Sequence, residues 1–270
     1  MMLPFPQIDP VALYIGPLPL RWYGLAYVAG FILGLYAFKY LCNNMKDSVI
    51  TKKHVDDYFV WIIIGVILGG RLGYVFFYNF SYYIQNPIQI LQTWHGGMSF
   101  HGGALGCLIA TMLFAWKKNL PIWQLSDKLA VVVPIGLFFG RIANFINGEL
   151  YGRPTDLPWG MVFPTADELP RHPSQLYEAA LEGIVLFIVL WLMAHKNPRP
   201  WTLTGTFLVG YGAFRFLIEY ARMPDSHLQD GIFTTITMGQ ILCLPMVLLG
   251  VYYLFISRGR ASITTKETTK

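Results

Sequence analysis

Residues Gly140–Arg153 read GRIANFINGELYGR and follow directly on the apolar run Leu129–Phe139. Such a run is typical of a membrane helix, so Arg141 would lie in or near hydrocarbon. An arginine cannot shed its charge there, and a buried charge is costly unless it is paired and hydrogen-bonded. Something must therefore meet Arg141. The candidates are Glu149, the nearest acidic residue in the sequence, and a bound anion.

The same stretch is dense in polar side chains and glycines. Asn144 lies three residues after Arg141 and Gly148 four further on, so a continuing helix would place all three on one face. Gly148 and Gly152 would let the backbone approach a ligand closely. This density of polar groups favours a functional site over an internal ion pair that only orients helices.

The composition indicates an all-α polytopic membrane protein. Of the 270 residues, 54% are hydrophobic and 13% are charged, whereas soluble domains carry about 25% charged residues. The net charge of +5 comes from basic residues in loops between apolar spans, so membrane topology explains it better than nucleic-acid binding. The three cysteines form no CxxC pair and no HExxH motif or His and Asp group is present, so we predict neither a metal nor a cofactor.

Apolar runs of nearly bilayer length predict seven membrane spans. They cover roughly Trp22–Leu41, Tyr58–Tyr78, a third span that opens within His95–Gly106 and ends near Trp116, Leu125–Asn147, Pro173–Met193, Leu203–Tyr220 and Ile236–Ile256. We expect residues 1–257 to form a single membrane domain, with 258–270 as a polar tail. The long loop at 151–173 is either a lid or binding segment or a solvated connector.

Loop charges predict the orientation of the chain. Basic residues concentrate after the first, third, fifth and seventh spans: Lys46, Lys52, Lys53, Lys117, Lys118, Lys196, Arg199, Arg258 and Arg260. The opposite loops hold fewer, chiefly Arg153, Arg171 and Arg222. By the positive-inside rule the N-terminus and the 151–173 loop lie outside, and the C-terminal tail is cytoplasmic. The ends of spans four and six and the start of span three then face the outer side, which predicts one polar site there.

Span three opens with His101, flanked by Phe100 and two glycines. A lone histidine is usually a structural hydrogen-bond donor. At a glycine-rich entry to a membrane helix, however, it is a good candidate for a general base, because its pKa lies near working pH.

Two further spans carry arginine. Arg71 in span two has no polar companion, so we interpret it as structural. In span six, Arg215 and Glu219 are four residues apart and Arg222 follows three later, so one face carries plus, minus and plus. This face is either an internal salt-bridge ladder or a second anion site, to which Tyr211 would add a hydroxyl.

The stretch Gly140–Arg153 closely resembles the signature of the bacterial prolipoprotein diacylglyceryl transferases. Four other segments resemble that family, and the resemblance covers nearly the whole chain: LRWYGLAY (Leu20–Tyr27), HGGMSFHGG (His95–Gly103), RHPSQLYE (Arg171–Glu178) and GYGAFRFLIEYAR (Gly210–Arg222). It implies a seven-span enzyme of the bacterial inner membrane that moves the diacylglyceryl group of phosphatidylglycerol to a thiol. The acceptor would be the lipobox cysteine in the signal peptide of a preprolipoprotein, and glycerol phosphate would leave.

The resemblance also implies roles for named residues. Catalytic roles fall to His101, Arg141, Arg215, Tyr23 and Tyr211. Contacts to phosphatidylglycerol fall to Arg141, Asn144, Glu149, Gly152, Arg215, Glu219 and Arg222. Arginine forks suit phosphate oxygens, and a thiol needs a base to become nucleophilic. Which arginine holds the headgroup, which one stabilises the leaving phosphate, and which residue is the base stay open. A phospholipid transporter or flippase that uses the same arginines only for binding is the alternative.

Overall fold

The structure, a computed structural model, describes residues 3–46, 48–223 and 237–259. Its α-helices are, in chain order, α1 (Trp22–Asn44), α2 (Lys52–Phe77), α3 (Phe80–Gln85), α4 (Phe100–Lys118), α5 (Ile122–Ile146), α6 (Ser174–Glu178), α7 (Leu186–Ala194), α8 (Thr202–Ile218) and α9 (Met238–Gly259). A π-helical segment, Ala179–Val185, joins α6 to α7 without a break, and the short 3-10 turns Pro87–Leu91 and Thr93–His95 follow α3. The described part of the chain is thus mostly helical, as the predicted all-α class requires.

Five helical stretches are long and apolar enough to cross a membrane: Trp22–Asn44, Lys52–Phe77, Ile122–Ile146, Ser174–Ala194 and Met238–Gly259. They match five of the predicted spans, and they support a multi-pass membrane protein. The other two predicted spans correspond to α4, with 19 residues, and α8, with 17. The count of seven spans therefore stays a prediction. Ile236 and, in the predicted tail 258–270, residues 260–270 lie outside the described residues.

One hairpin departs from the helical pattern. Strands β1 (Val11–Ile15) and β2 (Leu18–Arg21) pair antiparallel directly before α1. Gly16, in the tight turn between them, has φ +59°, a conformation that glycine adopts without strain.

The chain divides into two compact units. One holds the described residues up to Lys46 and from Asp127 onward, and the other holds those in between. In the second unit α2 packs closely on α4 through Gly65, Gly69 and Gly73, whose four-residue spacing gives α2 a face of small residues. A Cβ on Gly73 would stand 2.7 Å from the Cα of Gly102, so a larger residue would force these helices apart.

Arg71 fixes the irregular segment of this second unit. Its side chain is buried and donates to backbone carbonyls of the segment between α3 and α4, namely those of Gln89, Ile90, Gln92, Gly96 and Gly97, at 2.6–3.3 Å. Because these bonds engage every nitrogen of the guanidinium, the structural interpretation of Arg71 is confirmed.

In the first unit, a buried carboxylate anchors the start of α8. Asp127 on α5 accepts hydrogen bonds from the backbone N–H of Trp201 at 2.7 Å and of Thr204 at 2.8 Å, and from the Thr204 hydroxyl at 2.6 Å. These bonds satisfy amide groups that every helix start leaves unpaired. They fix α8 against α5, the two helices that carry Arg215 and Arg141.

Candidate active site

Glu178, at the end of α6, is the centre of the buried ionic groups. It is 1% exposed, and three guanidiniums converge on its carboxylate. Arg141 Nε contacts one oxygen, while Arg215 Nη1 lies 3.0 Å and Arg222 Nε 3.6 Å from the other. The first arginine comes from α5, the second from α8, and the third from the chain just after α8, so one carboxylate ties three parts of the fold together.

Glu219 supplies a second buried carboxylate. Its Oε2 lies 2.9 Å from Arg215 Nη2, so Arg215 bridges two acidic residues. The start of α9 packs against Glu219: a Cβ on Gly239 would stand 2.8 Å from the Glu219 carboxyl carbon. The alternating charges predicted on span six therefore pair only in part: Arg215 binds Glu219, whereas Arg222 turns to Glu178. We call Arg141, Glu178, Arg215, Glu219 and Arg222 the arginine cluster.

The arginine cluster is buried but not sealed. The side chains of Arg141, Arg215 and Arg222 are 17%, 13% and 13% exposed, whereas that of Glu178 is 1% exposed. The arginine side chains are thus the more accessible part of the arginine cluster, and the shared carboxylate is the most deeply buried. Guanidinium groups presented in this way suit an oxyanion with several acceptor oxygens, such as a phosphate.

The partner of Arg141 is not Glu149, the nearest acid in sequence, but Glu178. Glu149 instead accepts a hydrogen bond at 2.8 Å from Asn144, whose amide oxygen lies 3.4 Å from Arg141 Nη1. The expected direct pair between Arg141 and Glu149 is therefore wrong. The Asn144 side-chain amide lies between them and contacts both. The pairing with Glu178 is long-range, which is why sequence distance misidentified it.

The helix face predicted for Gly148 is also wrong. Helix α5 ends at Ile146, and Gly148 has φ +65°, so it belongs to the turn that follows. Its carbonyl accepts a hydrogen bond from the Thr165 hydroxyl. This hydrogen bond joins the turn after α5 to the long loop.

Gly152 lies where three backbone segments meet. Its N–H donates to the carbonyl of His172 at 2.8 Å, and the N–H of Arg153 donates to that of Ala221 at 2.8 Å. A Cβ on Gly152 would stand 2.8 Å from the His172 oxygen, so only glycine fits this crossing. The close approach that the sequence predicts for Gly152 is thus made by backbone, and its contact with lipid remains a prediction.

The long loop is a folded segment rather than an open connector. Arg171 holds it together: its guanidinium binds Asp167 at 2.7 Å and lies 5.1 Å from the centre of the Tyr151 ring. This hydrogen bond keeps the pKa of Asp167 below its ordinary range, whereas burial lowers the pKa of His172. The loop thereby fixes the backbone at Gly152, next to the arginine cluster.

The remaining predicted residues occupy different places. The Tyr23 hydroxyl lies 3.3 Å from that of Tyr27 and within electrostatic range of Arg141 and Glu149. Tyr211 stacks on Phe207, with ring centres 5.8 Å apart, and lies within electrostatic range of Arg215 and Glu182.

His101 belongs to the second unit. It lies in the first turn of α4, after the N-cap Ser99, and is exposed. Its ring packs edge-on against that of Phe100, with centres 5.7 Å apart. An exposed imidazole at a helix start is available for proton transfer, but its role as a base remains a prediction.

Sequence reasoning did not assign Glu178 or Glu182 to the site. The signal was present, because two acids one turn apart at the start of an apolar span are costly without basic partners. Counting those acids against Arg141, Arg215 and Arg222 would have indicated a shared cluster. Within the described ranges, no group of three or more His, Cys, Asp or Glu is placed to hold a metal ion.

Comparisons with known proteins agree over nearly the full length. A family model described as "Prolipoprotein diacylglyceryl transferase" matches residues 10–256. A protein of Nitrosomonas europaea named phosphatidylglycerol–prolipoprotein diacylglyceryl transferase is 53% identical over 255 residues, covering 94% of this chain and 91% of its own length. Proteins of the same name from Bordetella parapertussis and Allorhizobium ampelinum are 51% and 48% identical, covering 95% of this chain in both cases and 98% and 92% of their own lengths.

Proposed function

The chain belongs to the prolipoprotein diacylglyceryl transferase family, and from this membership we propose that it transfers the diacylglyceryl group of phosphatidylglycerol to a prolipoprotein. The acceptor is the thiol of the lipobox cysteine in the preprolipoprotein signal peptide. In the reaction the cysteine sulfur forms a thioether with the glyceryl carbon, the bond from that carbon to the phosphate oxygen breaks, and glycerol phosphate leaves. The thiol proton balances the charge of the departing group. This is the first step of lipoprotein maturation.

The observation that carries the proposal is the convergence of three arginines on Glu178. A phosphate ester is an adequate leaving group only when the charge that develops on it is met, and preorganised cationic donors perform that task in enzymes that use no metal. Arg141 and Arg215 are the residues we propose for it. Glu178 holds both guanidiniums in place before the lipid arrives, which lowers the cost of ordering them.

Further residues would hold the headgroup and prepare the thiol. We assign lipid contacts to Asn144, Glu149, Gly152, Glu219 and Arg222, in line with the family resemblance. A cysteine thiol has an ordinary pKa near ~8.5, so little of it is ionised at neutral pH and a base is required. His101 is the first choice for that base, and Tyr23 and Tyr211 are the alternatives.

We propose that residues 1–257 act as one seven-span domain in the bacterial inner membrane. The two helices not counted among the five long apolar stretches would be the remaining spans: at a rise of about 1.5 Å per residue, even the shorter one approaches the hydrocarbon thickness. Loop charges favour a periplasmic N-terminus and loop 151–173 and a cytoplasmic C-terminus. Periplasmic exposure suits a substrate whose signal peptide crosses the membrane.

A single assay tests the reaction and separates it from lipid transport. Purified protein is incubated with phosphatidylglycerol labelled in its acyl chains and a peptide that carries a lipobox cysteine. Transfer predicts a labelled peptide whose mass rises by one diacylglyceryl group, together with free glycerol phosphate. The matched control is the same peptide with serine in place of cysteine, which should stay unlabelled. Movement of lipid between leaflets without any labelled peptide would instead support the transporter.

A further inference from the structure

Glu182 is a buried acid that the proposed reaction does not use. It lies one turn after Glu178, in the π-helical segment Ala179–Val185, and is 0% exposed. Neither of its carboxyl oxygens has a hydrogen-bond partner among the residues that the structure describes. Glu178, at the end of α6, instead contacts three guanidiniums. A buried polar group without partners is costly, and such groups call for a functional explanation.

The backbone around Glu182 is π-helical and closely packed. A π-helical turn widens the helix, and such turns occur frequently at functional sites. Gly183 follows Glu182 and packs on α5, where a Cβ would stand 3.0 Å from the Cα of Phe138. The segment thus packs closely on α5 at the residue next to Glu182.

Several charged and titratable groups from other parts of the first unit lie within electrostatic range of Glu182. They are Glu178 at the end of α6, Arg141 on α5, Arg215 and Tyr211 on α8, Arg222 after α8 and Cys243 on α9. The guanidiniums are the only permanent positive charges of this set. Glu182 therefore experiences the net charge of the arginine cluster and of whatever binds to it.

The charges of the arginine cluster do not balance. Three guanidiniums face two carboxylates, those of Glu178 and Glu219, which leaves one positive charge. Ionised Glu182 would neutralise that charge in the empty protein. A bound phosphate diester would neutralise it as well, so both together would leave an excess negative charge in a region of low dielectric, where such charge is costly.

We propose that binding of an anionic phosphate headgroup to the arginine cluster is coupled to the uptake of one proton by Glu182. Glu182 is thus a positioning residue that adjusts the charge of the arginine cluster without touching the lipid. The inference rests on the proposed function, since it takes the headgroup of phosphatidylglycerol as the anion. Coupling of this kind is reciprocal: protonation strengthens lipid binding by the same factor by which lipid strengthens protonation.

The linkage makes a quantitative prediction. A phosphate diester keeps its single negative charge between about pH 5 and pH 9, so the lipid itself contributes no pH dependence there. If each lipid brings one proton with it, its affinity falls by up to about tenfold for each unit that the pH rises through the range where Glu182 exchanges. Glu182→Gln fixes the neutral form with almost unchanged shape, so its affinity should be high and should lack this slope.

The experiment measures binding of dioctanoyl phosphatidylglycerol to the detergent-purified protein by calorimetry, in buffers with different ionisation enthalpies. The dependence of the heat on the buffer gives the number of protons taken up per lipid. Wild type should take up a substantial fraction of one proton per bound lipid. Glu182→Gln should lose this part of the proton uptake. Glu182→Asp retains a carboxyl and should retain the uptake. The peptide-labelling assay is run on the same wild-type preparation.

Each outcome decides the inference. Equal proton uptake in wild type and Glu182→Gln overturns it and leaves the proposed function standing, provided that the wild type labels the peptide. The inference is also overturned if the wild type takes up no proton on lipid binding. This test needs no variant, so it remains valid even if Glu182→Gln fails to fold. A wild type that binds phosphatidylglycerol but labels no lipobox peptide overturns the proposed transfer, and the proton uptake on lipid binding still decides the inference.

Discussion

Arg215 Nη1 lies 3.0 Å from Glu178 Oε1 in a part of the chain where the carboxylate is almost fully shielded from solvent. The two residues belong to helices far apart in sequence, and Arg141 contacts the other oxygen of the same carboxylate. A carboxylate shared in this way sets the separation and direction of both guanidiniums. The geometry of the proposed phosphate site therefore depends on Glu178 as much as on the arginines.

Glu178→Gln should destabilise the protein and abolish transfer. The substitution leaves buried guanidiniums without their shared counter-charge, and breaking a buried ion pair from one side costs about 3–5 kcal/mol. Thermal unfolding in detergent and peptide labelling measure the two effects. Glu168→Gln, on the exposed part of the long loop, is the matched control and should change neither. Wild-type stability in Glu178→Gln would show that the arginine cluster does not need this carboxylate.

His101→Gln should fold and insert normally but lose on the order of 10²–10⁴-fold in turnover, the usual contribution of a general base. Its residual rate should rise with pH, because the acceptor thiol then ionises without help. Binding of phosphatidylglycerol should persist, since the arginine cluster is intact. Unchanged turnover would transfer the role of base to Tyr23, Tyr211 or Glu149, and loss of lipid binding would make His101 a headgroup ligand instead.

The ion pair between Asp167 and Arg171 predicts a pH dependence in the long loop. The pKa of Asp167 is lower in the folded protein than its ordinary value of 3.8, so the folded state binds this proton more weakly than the unfolded chain. The stabilisation is present above pH 3.8 and is lost as the pH falls through the folded value. Cleavage of residues 151–173 by an acid-active protease should therefore accelerate in this range. Asp167→Asn should be cleaved faster at higher pH too, with less pH dependence; identical profiles would contradict the assignment.

The orientation of the chain follows from loop charge alone and has its own test. A reporter fused after Arg258 should report the cytoplasm, and one fused within the 151–173 loop should report the periplasm. Reporter activity of the opposite kind at both positions would invert the topology. It would also exclude a periplasm-facing site at the arginine cluster.

Local patterns in the sequence predict much of this fold. Apolar runs predict the long helices, the spacing of Gly65, Gly69 and Gly73 predicts a close-packing face on α2, and the isolation of Arg71 predicts its structural role. Each of these depends on neighbours along one helix. The sequence also identifies Arg141 and Arg215, because charge in an apolar span is itself the signal.

The sequence does not predict which residues pair when they are far apart along the chain. Sequence distance favours Glu149 as the partner of Arg141, whereas tertiary packing brings in Glu178 from another helix. The π-helical turn at Ala179–Val185 has no distinct sequence pattern, so the inward position of Glu182 is visible only in the structure. The same holds for the backbone crossing at Gly152, where the close approach of His172 and Ala221 leaves room only for glycine.

Replacement of Arg141 and Arg215 by lysine, one at a time, tests the proposed phosphate site most directly. Lysine keeps the charge but lacks the planar fork that binds two oxygens at once. We expect peptide labelling to fall by about 10²–10³-fold in each variant at normal protein levels, the cost typical of one lost transition-state donor. Arg199→Lys, whose guanidinium donates to the backbone carbonyl of Arg258, should retain wild-type turnover. Near-normal labelling by both Arg141→Lys and Arg215→Lys would contradict the account.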